Sequence, residues 1–317
     1  MSITPAYSLP TIPEASRVAD LARGSRSAST WRAYGADWAA FEAYCNGAGL
    51  VALPALPEVV AGFLVAEADR KRKAATLARR LAAISVRHKG AGLASPCTSE
   101  LVTSTLAGIR REVGARVTKK APVRIGHVRK MVAGIGSDLA DLRDKALLLL
   151  GYAGGFRRSE LVALDLADVR AEDAGLVVLV RRSKTDQDGR GMTKYIPYGS
   201  SPATCPVRAV MAWQDAAGIT DGALFRGVTR WGAVLPDRLS DKGVARAVKR
   251  MAVLAGLDPD QVGGHSLRSG LVTDGYAAGV AEADIMAMTG HRSREVLSGY
   301  RQEADGFRRN VAASIGL

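Results

Sequence analysis

A chain of 317 residues, 47% hydrophobic and 24% charged, has the composition of a globular protein of about two domains, which excludes a disordered or low-complexity polypeptide. The 44 Lys and Arg outnumber the 31 Asp and Glu, and the net charge of +13 favours a nucleic acid as partner over a role in solubility alone. The longest apolar run, 146–156, is too short to cross a bilayer, and three scattered cysteines exclude a disulfide framework. With no recognisable secretory signal, a cytoplasmic, nucleoid-associated protein is expected.

Residues 1–26 are rich in Pro, Ser, Ala and Thr, and we expect a flexible leader there. An aromatic stripe follows at helical spacing: Trp31, Tyr34, Trp38 and Phe41. Such a stripe is typical of a helix face buried in a core, and a platform for base stacking is the alternative. The stripe therefore predicts the first helix of a packed bundle.

Three more helical patterns complete the first part of the chain, and the last of them spans about 99–113. One begins at Pro57, a residue type favoured in the first turn. The next carries apolar residues on one face and Lys73, Arg80 and Arg87 on another. This basic face can meet DNA phosphates or simply lie in water. Residues 27–113 are therefore predicted to form a small all-helical domain that binds DNA.

Residues 114–123 are polar and basic and contain Pro122, which predicts an interdomain linker. Lys119 and Lys120 in this segment are further candidates for contacts with a DNA backbone. The sequence therefore predicts two domains joined by a basic connection.

The last part, 124–317, combines helical patterns with two strand-like segments. LVVLVRR at 176–182 is rich in β-branched residues, Asp188 and Gly189 signal a turn, and Tyr195–Tyr198 suggests a returning strand. We therefore predict a mainly α fold with a small β-hairpin sheet, in which a helical bundle precedes an α+β domain. The motifs GxxxxGK[ST] and GxGxxG are absent, so nucleotide-driven chemistry is not expected.

Three segments carry side chains suited to phosphodiester chemistry: Gly154–Leu161, Gly264–Gly270 and Gly290–Tyr300. Without metal or ATP, phosphodiester exchange needs a nucleophile that forms an ester, cations for the charge on five-coordinate phosphorus, and a proton donor for the leaving 5′ oxygen. Tyr can be the nucleophile, two Arg can hold the nonbridging oxygens, and Lys and His can transfer protons. His265 and Arg268 stand at i, i+3 and so share one helix face.

These motifs resemble those of the tyrosine recombinases, also called the phage integrase family: an Arg in G-x-R-x-[SG]-E-L, a Lys in a β-hairpin, H-x-x-R, and [HW]-x8-Y. All occur here in order, within about 122–317. The resemblance implies a tyrosine recombinase catalytic domain, with 27–113 as the core-binding domain and no metal or other cofactor. It implies a catalytic set in which Glu160 supports the first member: Arg157, Lys184, His265, Arg268, His291 and Tyr300.

The resemblance also implies a mechanism. Tyr300 attacks a scissile phosphate of duplex DNA to give a 3′-phosphotyrosine, and Lys184 serves as general acid. Protomers on inverted repeats form a tetramer that exchanges strands through a Holliday junction. A C-terminal helix within 301–317 docks into a neighbouring protomer, with packing on its own domain as the alternative. The second motif looks like the Cre-like branch, and Ser269 stands where many family members carry a second His.

Two other functions fit part of these observations. A type IB topoisomerase has a similar set of residues and would relax DNA as a monomer, and a DNA-binding regulator would need no catalysis. Individual residues also have structural interpretations, since Arg157 with Glu160 can be a helix ion pair and Tyr300 can be core. A zinc site is not expected, because only His88 and His127 lie outside the motifs and no cysteine pair accompanies them.

Overall fold

The computed structural model describes four stretches of the chain: residues 13–114, 120–183, 191–305 and 315. The chain divides into two compact units, with the boundary between Thr118 and Lys119. Over the described residues the secondary structure is thirteen α-helices and two small antiparallel sheets, which confirms the predicted mainly α fold with a small β-hairpin sheet. No helix in these stretches has the length and apolar character that a membrane span requires.

The first unit contains five helices: α1 (Ala15–Gly24), α2 (Ala28–Gly47), α3 (Pro57–Asp69), α4 (Ala74–Gly90) and α5 (Glu100–Val113). Local sequence explains where three of them begin. Ser27 accepts a hydrogen bond from the Thr30 N–H at the start of α2, and Ser99 accepts one from Val102 at the start of α5. Pro57 occupies the first turn of α3.

Part of the expected flexible leader, 1–26, is instead helical, since α1 lies within it. Trp31 Nε1 donates a hydrogen bond of 2.8 Å to the Arg23 carbonyl near the end of α1. This bond ties α1 to α2, and the polar composition of the leader did not indicate it. So short a helix is only marginally stable by itself, and this tertiary contact stabilises α1.

Helices α2 to α5 supply the core of the first unit. Trp38 and Phe41 are 3% and 0% exposed, and the Phe41 ring lies 5.2 Å from that of Phe63, centroid to centroid. Trp31 and Tyr34 are half-buried. Trp38 and Phe41 of the aromatic stripe therefore belong to the core, as the spacing predicts.

The second unit contains eight helices and five strands: α6 (Ile125–Ala133), α7 (Leu139–Ala153), α8 (Arg158–Ala163), β1 (Val169–Glu172), β2 (Gly175–Val180), β3 (Met192–Pro197), α9 (Pro206–Ala216), β4 (Arg226–Val228), β5 (Val234–Arg238), α10 (Asp241–Leu254), α11 (Ser266–Ala277), α12 (Glu282–Thr289) and α13 (Arg294–Asp305). Strands β1, β2 and β3 form one antiparallel sheet in that order, with Val178 opposite Lys194. Strands β4 and β5 form a separate pair. The predicted hairpin is thus β2–β3, and β1 extends it.

Helix α7 lies at the centre of the second unit, where it packs against α9 and α11. Its residues 146–150 are almost fully buried. Trp213 of α9 is also buried, and its Nε1 donates a hydrogen bond of 2.8 Å to the Leu224 carbonyl. This core holds the C-terminal end of α7 and the start of α11 side by side.

Residues 120–123, at the end of the segment predicted as a linker, bond to the second unit. The Ala121 N–H donates to the Gln261 carbonyl at 2.7 Å, and the Val123 N–H donates to the Ser266 carbonyl at 2.9 Å. Val123 is completely buried in the core of the second unit. The described end of this segment therefore belongs to that unit, through backbone pairing with residues far along the chain.

Candidate active site

The turn between α7 and α8 carries Arg157 into the site. Gly155 in this turn has a φ of +55°, and a Cβ there would lie 2.9 Å from Leu271 and 3.0 Å from Thr289, so glycine is required. The Arg157 N–H donates to Glu160 Oε2 at 2.9 Å, and Nη1 donates to Oε1 at 2.5 Å. Glu160 is only 2% exposed, so a buried carboxylate fixes both the backbone and the guanidinium of Arg157.

Arg268 lies on α11 and is 1% exposed. Its Nη1 donates to the Gly155 carbonyl at 2.8 Å, and its Nη2 lies 3.3 Å from His291 Nε2. Burial and then repulsion from Arg157 lower the pKa of Arg268 to about 10, which leaves it charged at neutral pH. The site therefore holds two neighbouring guanidinium groups, with the carboxylate of Glu160 close to both. This arrangement is suited to binding a phosphate.

Two histidines of the site are neutral at pH 7. Burial, followed by repulsion from Arg268, lowers the pKa of His291 to about 4 and also lowers the pKa of His265. Thr289 Oγ1 donates its hydrogen to a carbonyl of α12, so at 2.7 Å from His291 Nδ1 it accepts the ring proton. His291 therefore carries its proton on Nδ1 and presents Nε2 to Arg268.

Helix α13 brings Tyr300 to the same place. Tyr300 Oη lies 3.4 Å from His265 Nε2 and 3.5 Å from Ser269 Oγ. Leu297, which is fully buried, anchors α13 in the cluster that includes residues of α11 and α12. The phenol thus lies beside a neutral imidazole that can take its proton.

The structure brings together five of the six catalytic side chains predicted from the sequence: Arg157, His265, Arg268, His291 and Tyr300. The sixth, Lys184, lies outside the described residues. Sequence reasoning missed the roles of Ser269 and Thr289, because hydroxyl residues are common and only the fold shows what they contact. Within the described stretches, no group of three or more His, Cys, Asp or Glu side chains could hold a metal ion.

Among the five candidates for DNA contact, the expectation for Arg80 is corrected. Its side chain is 11% exposed, pairs with Glu67, and approaches Asp37 at 3.7 Å. Both carboxylates are almost fully buried, and Arg80 shares their neutralisation with Arg79, which pairs with Asp37, and Arg70, which pairs with Glu67. The charge of Arg80 thus faces carboxylates rather than a phosphate. The pattern on α4 could not reveal this, because the carboxylates belong to α2 and α3.

The other four candidates differ in their surroundings. Lys73 is exposed directly before α4, whereas Arg87 is half-buried with its Cζ 5.7 Å from the centre of the Trp38 ring. Lys120 is exposed and its Nζ donates to a backbone carbonyl of the second unit. Lys119 lies outside the described residues. Contacts of these four with DNA stay predictions.

Comparison with known proteins matches residues 126–306 to the model of the phage integrase family. An integrase/recombinase of Selenomonas ruminantium, a XerD homolog, is 37% identical over 291 residues, which cover 90% of this chain and 85% of that protein. The Cre recombinase of Escherichia phage P1 is 24% identical over 303 residues, which cover 89% of this chain and 86% of Cre.

Solved structures share the fold. The XerH recombinase bound to a palindromic substrate in a post-cleavage complex has a TM-score of 0.67 at 17% identity, covering 94% of this chain and 83% of XerH. A lambda integrase tetramer bound to a Holliday junction has a TM-score of 0.59 at 17% identity, covering 93% and 82%. At such identities the similarity shows the fold alone.

Proposed function

The chain belongs to the phage integrase family and is a tyrosine site-specific recombinase, and on this premise we propose that Tyr300 is the nucleophile that cleaves its DNA. The observation that carries this proposal is the position of Tyr300 Oη, 3.4 Å from His265 Nε2 in a site that also holds Arg157 and Arg268. A phenol needs a base to remove its proton and cations to approach an anionic phosphate, and both are present.

In the proposed cleavage step, a bond forms between Tyr300 Oη and phosphorus while the bond to the 5′ oxygen breaks. The phenol proton passes to His265, and Lys184 supplies a proton to the leaving 5′ oxygen. Two guanidinium groups hold the nonbridging oxygens, those of Arg157 and Arg268, and His291 orients Arg268 through Nε2. The products are a 3′-phosphotyrosyl link, which conserves the energy of the broken ester bond, and a free 5′-hydroxyl.

Strand exchange follows when the 5′-hydroxyl of a partner duplex attacks this phosphotyrosine. A Holliday junction forms, and a second round of the same chemistry resolves it. We place four protomers on two sites built of inverted repeats, with 306–317 of each, the segment after α13, docked on a neighbour in a Cre-like assembly. Fold similarity to the lambda integrase tetramer on its junction and to XerH on a palindromic substrate supports this assembly. A DNA substrate and three free cysteines fit a cytoplasmic, nucleoid-associated enzyme.

The test captures the covalent intermediate and needs no known target. Purified protein is incubated without added metal with fragmented DNA of its source, quenched in SDS, and the DNA bound to protein is sequenced. Tyr300→Phe is the matched control, because it removes one oxygen and leaves the ring in place.

We expect adducts that depend on Tyr300 and cluster at a few inverted repeats. Adducts spread over the DNA would indicate a topoisomerase instead. Absence of adducts while DNA binding persists would contradict cleavage by this chain alone.

A further inference from the structure

Lys194 is a buried lysine beside the active site that the proposed reaction does not use. It lies on β3 and is 2% exposed. Its Nζ donates to the Gly154 carbonyl at 2.7 Å and to the Met288 carbonyl, and it lies 4.9 Å from the centre of the Phe156 ring. Two carbonyl oxygens and one aromatic face thus surround the ammonium group.

The two carbonyls belong to segments that end in catalytic side chains. Gly154 lies three residues before Arg157, and Met288 lies three residues before His291. One is in the turn that follows α7, and the other is in the last turn of α12. Lys194 therefore joins two backbone segments that no local hydrogen-bond pattern would connect.

Arg268 holds the same turn from another side. Its Nη1 donates to the carbonyl of Gly155, directly after the carbonyl of Gly154 that Lys194 binds. Two buried cations, one from β3 and one from α11, therefore hold consecutive carbonyls of one turn. Such paired contacts restrict the turn to one conformation.

The ammonium group of Lys194 fits a role in orienting the backbone better than a role in filling space. A buried ammonium group costs free energy that an apolar side chain of similar volume would not. Burial lowers the pKa of Lys194, Glu160 raises it, and Arg268 and Arg157 lower it, with a result of about 8. The side chain is therefore mostly charged at neutral pH, and each of its N–H groups can donate a hydrogen bond.

We propose that Lys194 is a positioning residue for strand cleavage, whose ammonium group fixes the turn before Arg157 and the end of α12 before His291 at the spacing that the phosphate requires. This inference rests on the proposed function, since it concerns the rate of Tyr300 attack. A small displacement of either side chain would weaken the grip on the five-coordinate phosphorus.

The test compares Lys194→Met, which keeps the length of the side chain, with Lys194→Arg, which keeps a charge and N–H donors. Lys249→Met is the matched control, because it removes the same charge from an exposed ion pair with Asp260. The probe is the set of DNA fragments that the wild-type protein captures. Three quantities are measured: the single-turnover rate constant of adduct formation at saturating protein, the Kd for the same DNA, and the melting temperature.

We expect Lys194→Met to lower the rate constant by about 10- to 100-fold, with a Kd within about 3-fold of the Lys249→Met control. Lys194→Arg should recover a large part of the rate. A packing role alone would lower the melting temperature and leave the rate constant of the folded protein unchanged, and that result would overturn the inference. Wild-type protein that forms no adducts would instead overturn the proposed function.

A measurement on the wild-type protein covers the case in which both Lys194 variants fail to fold. Reductive methylation of lysines, followed by mass spectrometry, should modify Lys249 readily and leave Lys194 protected. Equal modification of the two lysines would show that Lys194 does not hold the buried carbonyls, and would overturn the inference.

Discussion

At the scale of single residues, the site controls where protons lie before DNA binds. His265 and His291 are neutral because they are buried near Arg268. Ser269 Oγ can donate its one hydrogen either to the His265 carbonyl at 3.0 Å or to Tyr300 Oη at 3.5 Å. His265 Nε2, 3.4 Å from the phenol, is the group that can take the proton and become charged.

The lowered pKa of His265 predicts the pH dependence of cleavage. Burial is the main cause, and Arg268, Arg157 and Arg158 add to it. A base whose pKa is lowered stays neutral to more acidic pH, so the single-turnover rate should hold from pH 7.5 to about 6.5 and fall only below that. The rate of adduct formation between pH 5 and 8 checks this. A decline centred at or above pH 6.5 would argue against His265 as the base.

Thr289 offers a test of the His291 tautomer. Thr289→Val keeps the shape of the side chain but removes the oxygen that accepts the Nδ1 proton of His291. We expect cleavage to slow by about 10-fold, as is typical when a residue that orients a functional imidazole is lost. Thr289→Ser retains the oxygen and should behave like the wild type. Equal rates for the two variants would show that the hydroxyl does not orient the ring.

At the scale of elements, α4 shows how a basic helix divides its charges between core and surface. Arg80 pairs with Glu67 and approaches Asp37 inside the first unit, while Lys73 is exposed. His88 on the same helix is buried, and its Nε2 accepts from the Ala55 N–H at 2.9 Å. One face of α4 thus stabilises the bundle, and Lys73, exposed before its first turn, stays a candidate for contact with DNA.

The burial of Arg80 and the exposure of Lys73 predict opposite effects when each is replaced by Met. Arg80→Met removes one of the cations that pair with the buried Glu67 and should lower the free energy of unfolding by about 2 kcal/mol. Lys73→Met should leave stability unchanged and reduce the slope of log K against log salt by about 0.9, as for the loss of one phosphate contact. Urea unfolding and DNA binding at several salt concentrations measure both. A change of salt slope for Arg80→Met in folded protein would restore Arg80 as a DNA contact.

At the scale of the whole molecule, the excess of positive charge is shared along the chain. Residues 1–118 hold 15 basic and 9 acidic residues, and 119–317 hold 29 and 22. Each compact unit can therefore contribute to attraction of DNA, and binding should weaken steeply with salt. Assembly of several protomers on one DNA then depends on contacts between chains, for which 306–317 is the proposed element.

Deletion of 306–317 tests that assembly. We expect the truncated protein to bind a single half-site with unchanged Kd, because the catalytic side chains end at Tyr300. It should fail to form the tetramer on paired sites, since docking between neighbours is lost. Mass photometry on half-site and paired-site DNA measures both. Tetramers of normal abundance would instead indicate that the segment packs on its own domain.

The sequence by itself determined the fold class and predicted the proposed catalytic set. Helical spacing predicted the buried Trp38 and Phe41, and the order of the motifs indicated Arg157, Arg268 and Tyr300. These features are local, because a helix face or a short motif is defined by residues a few positions apart. The partnership of Arg157 with Glu160 is local in the same sense.

Only the tertiary structure decided which polar groups meet across the fold. Lys194 binds carbonyls near residues 154 and 288, and Arg80 pairs with a carboxylate of another helix. The same holds for Thr289, whose role depends on the tautomer of His291. Such contacts join residues whose separation in sequence carries no periodic signal. They also depend on burial, which strengthens every hydrogen bond and charge that the fold takes out of water.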